Sequence, residues 1–235
     1  MTLIIIIRPE PGCTASVAAA HAQKLEALGF PLFATEAVSW VAPEPETFDA
    51  LLIGSGNALR YGGESLRQYA GKPAYAVGPT TAQAAQAAGL AVVATGCGGL
   101  QALLARLAPG HRRLLRLAGQ ARVSLTPPPG TTLVERVVYD SIPHAMPHRL
   151  ARLLMTHALI GTVVLLHSAE AARHFAAECD RFSIPRARLR IAALGPRIAE
   201  AAGGGWASVT SADTPDDAAL LALVGQLCQN RPMPN

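Results

Sequence analysis

Hydrophobic residues fall in short apolar runs that alternate with longer stretches of helical spacing. The first run is five aliphatic residues, Leu3 to Ile7, and Arg8-Pro9 ends it. Apolar positions then recur on one helical face from Val17 to Leu28, until Gly29 ends the pattern. Strands that alternate with helices are typical of parallel sheets covered on both faces. We therefore predict an α/β fold.

The same alternation continues almost to the end of the chain. It predicts further strands at 50–53, 74–77, 91–94, 113–117, 133–139, 162–166, 189–194 and 206–209. It predicts further helices at about 57–69, 79–88, 99–107, 148–155 and 169–179, with two more beginning at 196 and 215. Thr214-Pro215 followed by two acids predicts the start of the last helix, with Thr214 as its N-cap.

The chain also resembles itself. An apolar strand runs into a serine at a helix start twice, at Ser55 and at Ser168. About two dozen residues after each serine, a second strand runs into Gly-Pro, at Gly78 and at Gly195. This repeat predicts two similar domains, each a parallel β-sheet flanked by helices.

The N-terminal strand and helix are too short to form a domain alone. We therefore expect residues 1–38 and 142–235 to form one discontinuous α/β domain and residues 42–138 to form an inserted second one. The linkers are expected at about 39–41 and 139–141, where proline-bearing stretches lie nearby. Two connecting strands would act as a hinge, and the cleft between the domains is the expected ligand site.

Composition narrows the classes of partner. Of 235 residues, 50% are hydrophobic and only 15% are charged, which excludes intrinsic disorder. The longest aliphatic run is far below the ~20 residues of a membrane span. The net charge of +4 is scattered rather than clustered, so we expect no nucleic-acid partner, whereas a small anionic ligand is compatible.

Other features of the sequence predict the cellular location and exclude several classes of site. No secretory signal precedes or follows the first strand, so we expect a cytoplasmic protein. The four cysteines are widely spaced and form no metal-ligand pattern, which predicts reduced thiols and no metal site. No glycine-rich dinucleotide fingerprint, phosphate loop or nucleophile elbow is present, which disfavours a Rossmann dehydrogenase or a nucleotidase.

What does recur is a strand end that passes into a helix N-terminus, at Ser55, Gly78, Ser168 and Gly195. Helix N-termini present unpaired backbone N–H groups and favour carboxylates or phosphates. In a parallel sheet these ends share the carboxyl edge, where ligands bind. Four such ends would suit a polyanion, although each residue could simply cap its own helix.

Taken together, the order and spacing of these residues resemble the uroporphyrinogen-III synthase family over nearly the whole chain. The likeness rests on the following motifs: Arg8-Pro9, Ser55-x-Asn57-Ala58, Tyr75-Ala-Val-Gly78-Pro-Thr-Thr81-Ala82, Gly119 with Arg122, Val138-Tyr139, Ser168, Gly195 with Ala199, and Thr214-Pro215. It implies two domains joined by a two-strand linker. It also implies closure of the linear tetrapyrrole hydroxymethylbilane, without a cofactor, to uroporphyrinogen III.

The chemistry implied by the family needs few catalytic residues. Loss of the substrate's hydroxyl gives an electrophilic azafulvene, which is attacked by the substituted carbon of the terminal ring. The resulting spiro intermediate fragments and recloses with that ring inverted. Because the substrate cyclises by itself to the wrong isomer, the protein chiefly has to hold it in one conformation.

The resemblance assigns candidate roles to ten residues. Tyr139 matches the tyrosine proposed to donate a proton to the departing hydroxyl, and a phenol carries its proton at neutral pH. The remaining candidates are substrate-binding residues: Arg8, Ser55, Asn57, Gly78, Thr81, Arg122, Ser168, Gly195 and Arg197. Arg197-Ile198 stands where relatives often carry threonine, and Thr126-Pro-Pro-Pro-Gly130 cannot continue the helix that relatives have after Arg122.

Two other classes of protein stay open at this point. One is a two-domain ligand-binding protein of periplasmic type, and the other is a non-catalytic binding or regulatory module for an anionic small molecule on the same fold. We further expect a monomer that has no membrane partner and makes transient contact with hydroxymethylbilane synthase.

Overall fold

A computed structural model describes residues 2–97, 99–157 and 161–229 of the chain. In chain order the strands are β1 (Leu3–Ile6), β2 (Ala27–Gly29), β3 (Phe33–Ala37), β4 (Ala50–Ile53), β5 (Pro73–Ala76), β6 (Ala91–Thr95), β7 (Arg113–Gly119), β8 (Thr132–Pro143), β9 (Thr162–Leu166), β10 (Leu189–Ala193) and β11 (Ser208–Ser211). The α-helices are α1 (Gly12–Ala22), α2 (Gly56–Tyr61), α3 (Pro79–Ala87), α4 (Leu100–Leu104), α5 (His148–His157), α6 (Ala169–Arg181), α7 (Pro196–Ala201) and α8 (Asp217–Gln229).

Contacts divide the chain into two compact units. The first unit comprises residues 1–34 and 143–235, and the second comprises residues 35–142. β8 runs without interruption from Thr132 to Pro143, through the stretch 139–141 that the sequence assigns to a linker. Within the described residues, none of the helices combines the length and the apolar character that a bilayer span requires.

The first unit contains a five-stranded sheet in the order β11-β10-β9-β1-β2, and all its neighbouring strands are parallel. Every residue of the central strands β1 and β9 is buried. Two apolar clusters account for this burial, one containing Phe175 of α6 and the other containing Leu220 of α8. Continuous apolar strands are expected where helices cover both faces of a sheet.

The second unit contains a six-stranded sheet in the order β3-β8-β7-β4-β5-β6. The pairs β8/β7, β7/β4, β4/β5 and β5/β6 are parallel. One apolar cluster contains Leu59 of α2 and Ala85 of α3, and the other contains Leu103 of α4. The α/β class and the parallel sheets flanked by helices are thus confirmed.

Two of the predicted helices are wrong in their extent. The first helix ends at Ala22 rather than near Gly29, because the chain reverses at Lys24, whose φ is +59°, and then forms β2. The helix predicted over 57–69 stops at Tyr61, and a 3-10 helix follows Gly63, whose φ is +70°. Positive φ is incompatible with a continuing right-handed helix.

The prediction that Thr214 caps the last helix is also wrong. The Asp216 carboxylate accepts a hydrogen bond from the backbone N–H of Ala219 at 2.8 Å, so Asp216 occupies the capping position. Thr214 instead donates its hydroxyl to Asp216 at 2.8 Å. These two hydrogen bonds hold the pKa of the Asp216 carboxyl below its ordinary value, and the one from Ala219 has the larger effect. An anionic cap beside the positive end of the helix dipole stabilises the helix start.

Candidate active site

Four of the sequence-predicted positions of the second unit meet at the carboxyl edge of its sheet. β4 is in register with both β5 and β7 at its last residue. Ser55 lies two residues beyond that level, and its counterparts on the neighbouring strands are Gly78 and Gly119. Gly119 in turn pairs with Tyr139 of β8. The spatial order along the edge is therefore Tyr139, Gly119, Ser55 and Gly78.

Ser55 is the N-cap of α2. Its backbone is extended, and its Oγ accepts a hydrogen bond from the Asn57 N–H at 3.2 Å. Because the oxygen acts as acceptor in this cap, the hydroxyl hydrogen stays available to an external acceptor such as a carboxylate. Asn57 is half-buried, and its Oδ1 accepts from Arg60 Nη1 at 3.2 Å.

Gly78 is the N-cap of α3, with Pro79 in the first helical position. Its backbone is extended, and a Cβ there would meet no atom within 4 Å. The residue therefore leaves open space in front of the first turn of α3. Thr81, by contrast, is only 7% exposed, so its role in binding stays a prediction.

Arg122 is already paired inside the second unit. Its Nε lies 3.1 Å from Glu135 Oε2, and its Nη1 donates to the carbonyl of Gln120 at 2.9 Å. The same carboxylate binds Arg116 Nη1 at 2.5 Å, and the Arg116 side chain is only 4% exposed. Burial alone would raise the pKa of the Glu135 carboxyl, but the hydrogen bonds from Arg122 and Arg116 outweigh it and lower the pKa.

Tyr139 is half-buried in β8, at the level where the neighbouring strand β7 ends. Its ring packs against the apolar cluster that contains Leu117 and Val138, and the centroid of the Tyr61 ring lies 6.4 Å away. Within the described part of the chain, the Tyr139 hydroxyl makes no hydrogen bond. A tyrosine held by its ring with a free hydroxyl can donate a proton to a bound molecule.

The first unit repeats this arrangement. β1 and β9 are in register at Ile6 and Leu165, so Arg8 and His167 lie at one level two residues further on. β9 and β10 are in register at their last residues, and two residues beyond them lie Ser168 and Gly195. The two serines and the two Gly-Pro turns thus occupy corresponding positions in the two sheets.

Ser168 and Gly195 cap their helices as their counterparts do. Ser168 is exposed, and its Oγ accepts a hydrogen bond from the Ala171 N–H at 3.1 Å. Gly195 has an extended backbone and precedes Pro196 at the first position of α7. Arg197 follows as an exposed residue, and among the described residues no acidic side chain lies within 4.0 Å of its guanidinium. Ile198 packs its side chain against the core.

Arg8 is engaged in a polar cluster that sequence reasoning did not find. Its Nη1 lies 2.7 Å from Asp217 Oδ2 and 3.2 Å from Ser16 Oγ. Ser16 donates to the same carboxylate at 2.7 Å, and His167 Nε2 lies 3.1 Å from Asp217 Oδ1. Asp217 stands 209 residues from Arg8 in the sequence, so spacing gave no signal for this contact.

The cluster shifts the pKa values of two of its members, Asp217 and His167. Burial alone would raise the pKa of Asp217, but the close contact with His167, the hydrogen bond from Ser16 and the charge of Arg8 lower it to about 2. Burial lowers the pKa of His167, and the nearby Arg8 charge adds to that effect, while Asp217 opposes it. The cluster therefore carries a firmly ionised carboxylate at neutral pH.

Comparison with known proteins agrees with this architecture. No curated protein sequence is significantly similar to the chain. A uroporphyrinogen III synthetase structure from Helicobacter pylori is 18% identical and covers 97% of this chain and 100% of its own, with a TM-score of 0.62. A mutant uroporphyrinogen III synthase structure from Thermus thermophilus is 19% identical and covers 98% and 100%, with a TM-score of 0.57.

These two structures support the fold, and a sequence-family match identifies the family. The model of the family described as uroporphyrinogen-III synthase HemD matches residues 15–222, which is most of the 235-residue chain. The matched range contains both serines, both Gly-Pro turns and Tyr139. The chain therefore belongs to the uroporphyrinogen-III synthase family.

Proposed function

We propose that the chain is a lyase that closes hydroxymethylbilane to uroporphyrinogen III, with inversion of the terminal ring and loss of water, in tetrapyrrole biosynthesis. The observation that carries this proposal is the family match over residues 15–222. The alternative of a non-catalytic binding or regulatory module on the same fold is not favoured by that match. The alignment of Tyr139 with Ser55 and Gly78 on one sheet edge supports a catalytic assignment.

The substrate's acetate and propionate groups would bind where the sheet edges offer unused donors. The hydroxyls of Ser55 and Ser168 accept helix N–H groups and keep their hydrogens for an outside carboxylate. Gly78 and Gly195 leave space in front of the helices that follow them. Arg197, exposed at the start of α7, supplies a positive charge there.

Arg8 and Arg122 would contribute differently. Arg8 is paired with Asp217, and Arg122 shares the Glu135 carboxylate with Arg116. A substrate carboxylate would have to share or replace these internal partners, so each arginine would contribute less to binding than an unpaired one. We therefore assign the larger binding contribution to the serines and Arg197.

Tyr139 would act as the proton donor. Its phenol donates a proton to the departing hydroxyl as the carbon–oxygen bond breaks, and water leaves. The electron pair comes from the pyrrole nitrogen. The phenolate regains a proton when the inverted terminal ring loses its α hydrogen and becomes aromatic again. The phenol is thereby restored, and water is the only product besides the macrocycle.

Because the substrate cyclises spontaneously, rapid transfer from the enzyme that makes it favours the correct product. We propose that the chain works as a cytoplasmic monomer that contacts hydroxymethylbilane synthase transiently. Light scattering of the purified chain, alone and mixed with that synthase, tests both statements. A stable dimer would contradict the monomeric state. The transient contact would be contradicted if attaching the two enzymes covalently to separate gel beads left the ratio of type III to type I product unchanged.

The activity itself is tested with purified protein and enzymatically generated hydroxymethylbilane, without added metal or cofactor. Chromatography after oxidation separates the type I and type III isomers. We expect the type III isomer to form faster than the spontaneous reaction. Tight binding of the substrate with only type I product would instead support the binding module.

A further inference from the structure

We infer that Gly119 is a positioning residue for Tyr139, and that a side chain at position 119 would displace the phenol from the reacting hydroxyl. The inference rests on the proposed role of Tyr139. It goes further because it attributes the orientation of the Tyr139 ring to a β-bulge and a glycine at the end of the neighbouring strand.

The pairing of β7 and β8 contains a β-bulge next to Gly119. From Arg113 to Ala118 the two strands pair in constant register, but between Ala118 and Gly119 the register shifts by one residue. Gly119 consequently pairs with Tyr139 rather than with Val138. A bulge of this kind re-aims the side chains that follow it.

The packing of β8 shows the effect of the shift. In a regular strand, side chains two residues apart share a face and adjacent ones lie on opposite faces. Val134 and Val138 obey this rule, since both pack against the cluster that contains Leu115 and Leu117. Tyr139 follows Val138 directly, yet it packs against the same cluster. The bulge therefore turns Tyr139 onto the face where its neighbour already lies.

Gly119 provides the space into which the ring turns. It shares the face of Leu115 and Leu117, because it is two residues beyond Leu117 on β7. A Cβ at position 119 would lie 2.7 Å from Cε2 and Cζ of the Tyr139 ring and 3.0 Å from its hydroxyl oxygen. These distances are well inside the ~3.5 Å or more of favourable carbon contacts. The ring can occupy its position only while residue 119 has no side chain.

The contact itself, rather than the backbone, is what demands glycine here. Gly119 is paired within a strand and has no positive φ, so alanine is sterically accessible to its backbone. The Tyr61 ring also lies close to Tyr139, with its centroid 6.4 Å from that of the Tyr139 ring. In Gly119→Ala the ring must therefore move, and a displacement of about 1 Å at a catalytic group can cost up to ~100-fold in rate.

The test compares wild type, Gly119→Ala, Tyr139→Phe and the double variant, with Gly110→Ala as the matched control. A Cβ at Gly110 would meet nothing within 4 Å, so this second-unit glycine reports the general effect of adding a methyl group. We expect Gly119→Ala to lower kcat for the type III isomer about tenfold, with KM changed less than twofold. In the Tyr139→Phe background the same substitution should change kcat less than twofold. Equal losses in the two backgrounds would overturn the inference.

A second readout does not depend on activity. The chain has four tyrosines, so the ¹³C-labelled tyrosine ring signals can be assigned by comparison with Tyr139→Phe. Gly119→Ala should move the Tyr139 signal and leave those of Tyr69 and Tyr75 in place, and an unmoved Tyr139 signal would overturn the inference. If the Tyr139 signal moves but the wild type forms only type I product, the proposed function fails while the packing relation stands.

Discussion

Replacing Glu135 by glutamine should destabilise the second unit far more than an ordinary surface substitution. Arg116 lies directly opposite Glu135 in the β7/β8 pair, and its side chain is 4% exposed. In Glu135→Gln the buried guanidinium keeps its charge but loses its anionic partner. The glutamine amide oxygen and the Val123 carbonyl, at 2.8 Å from Nη1, can still accept hydrogen bonds from that nitrogen, but neither carries the charge that offsets the guanidinium.

The magnitude follows from the burial of the two side chains. A buried charge that loses its partner costs roughly 3–5 kcal/mol. The Glu135 side chain is 30% exposed, so water reaches part of the site, and we expect about 2–3 kcal/mol. With a urea dependence of about 1.5 kcal/mol per molar, this is a fall of about 1–2 M in the unfolding midpoint.

The assay uses the distribution of tryptophans. The chain has two, with Trp40 in the second unit and Trp206 in the first. In a Trp206→Phe background, fluorescence reports only the second unit, where Trp40 donates to the Gly62 carbonyl at 2.9 Å and stacks on Tyr69. A Trp40→Phe background reports the first unit, whose midpoint should not change.

Two further variants separate the buried charge from other effects. Arg116→Met in combination with Glu135→Gln removes the unpaired charge and should recover at least half of the loss. Glu64→Gln is the control, because its ion pair with Arg67 in the same unit is 3.6 Å long and both side chains are more than 80% exposed. If Glu135→Gln costs no more than the control, or if Arg116→Met gives no recovery, the reasoning is refuted.

Three other substitutions test the remaining parts of the site. Tyr139→Phe should lower kcat for type III product by roughly 10- to 100-fold, as steady-state assays will show, because one proton donor is lost; an unchanged kcat would remove Tyr139 from the mechanism. Ser168→Ala should raise KM and cost about 1 kcal/mol in urea unfolding of the first unit, since the α6 cap is lost, and Ser168→Thr should restore both. Asp217→Asn should cost about 1 kcal/mol at pH 6, discounted for the 39% exposure of the carboxylate. Because folding lowers the Asp217 pKa from 3.8 to about 2, that difference should shrink as the pH falls from 4 toward 2, and a constant difference would contradict the assignment.

Much of the fold is predictable because it depends on local patterns. The run Leu3 to Ile7 and the repeats around Ser55 and Ser168 carry strong apolar and capping signals, and the structure contains the corresponding strands and helices. The short strands β2 and β3 are not predicted by the sequence patterns. β2 has three residues, and Leu28 within it also fits the helical spacing that begins at Val17.

The candidate site is predictable only in part, for a different reason. Serines and glycines at strand ends can be found from sequence, because each acts within its own strand-to-helix turn. The partners of Arg8 and Arg122 cannot be found in this way. Asp217 reaches Arg8 across 209 positions, and Glu135 lies opposite Arg116 only because β7 and β8 pair in a particular register. The ring of Tyr139 over Gly119 likewise depends on a one-residue register shift.

The central claim is that the protein directs closure through the substituted carbon of the terminal ring. It is tested most directly with hydroxymethylbilane that carries ¹³C both at the methylene joining its last two rings and at the terminal-ring carbon bonded to it. Inversion of the ring breaks that bond, so NMR of the product formed by the wild-type chain should show loss of the one-bond carbon–carbon coupling. Retention of the coupling in the product, as in the spontaneous reaction, would contradict the account.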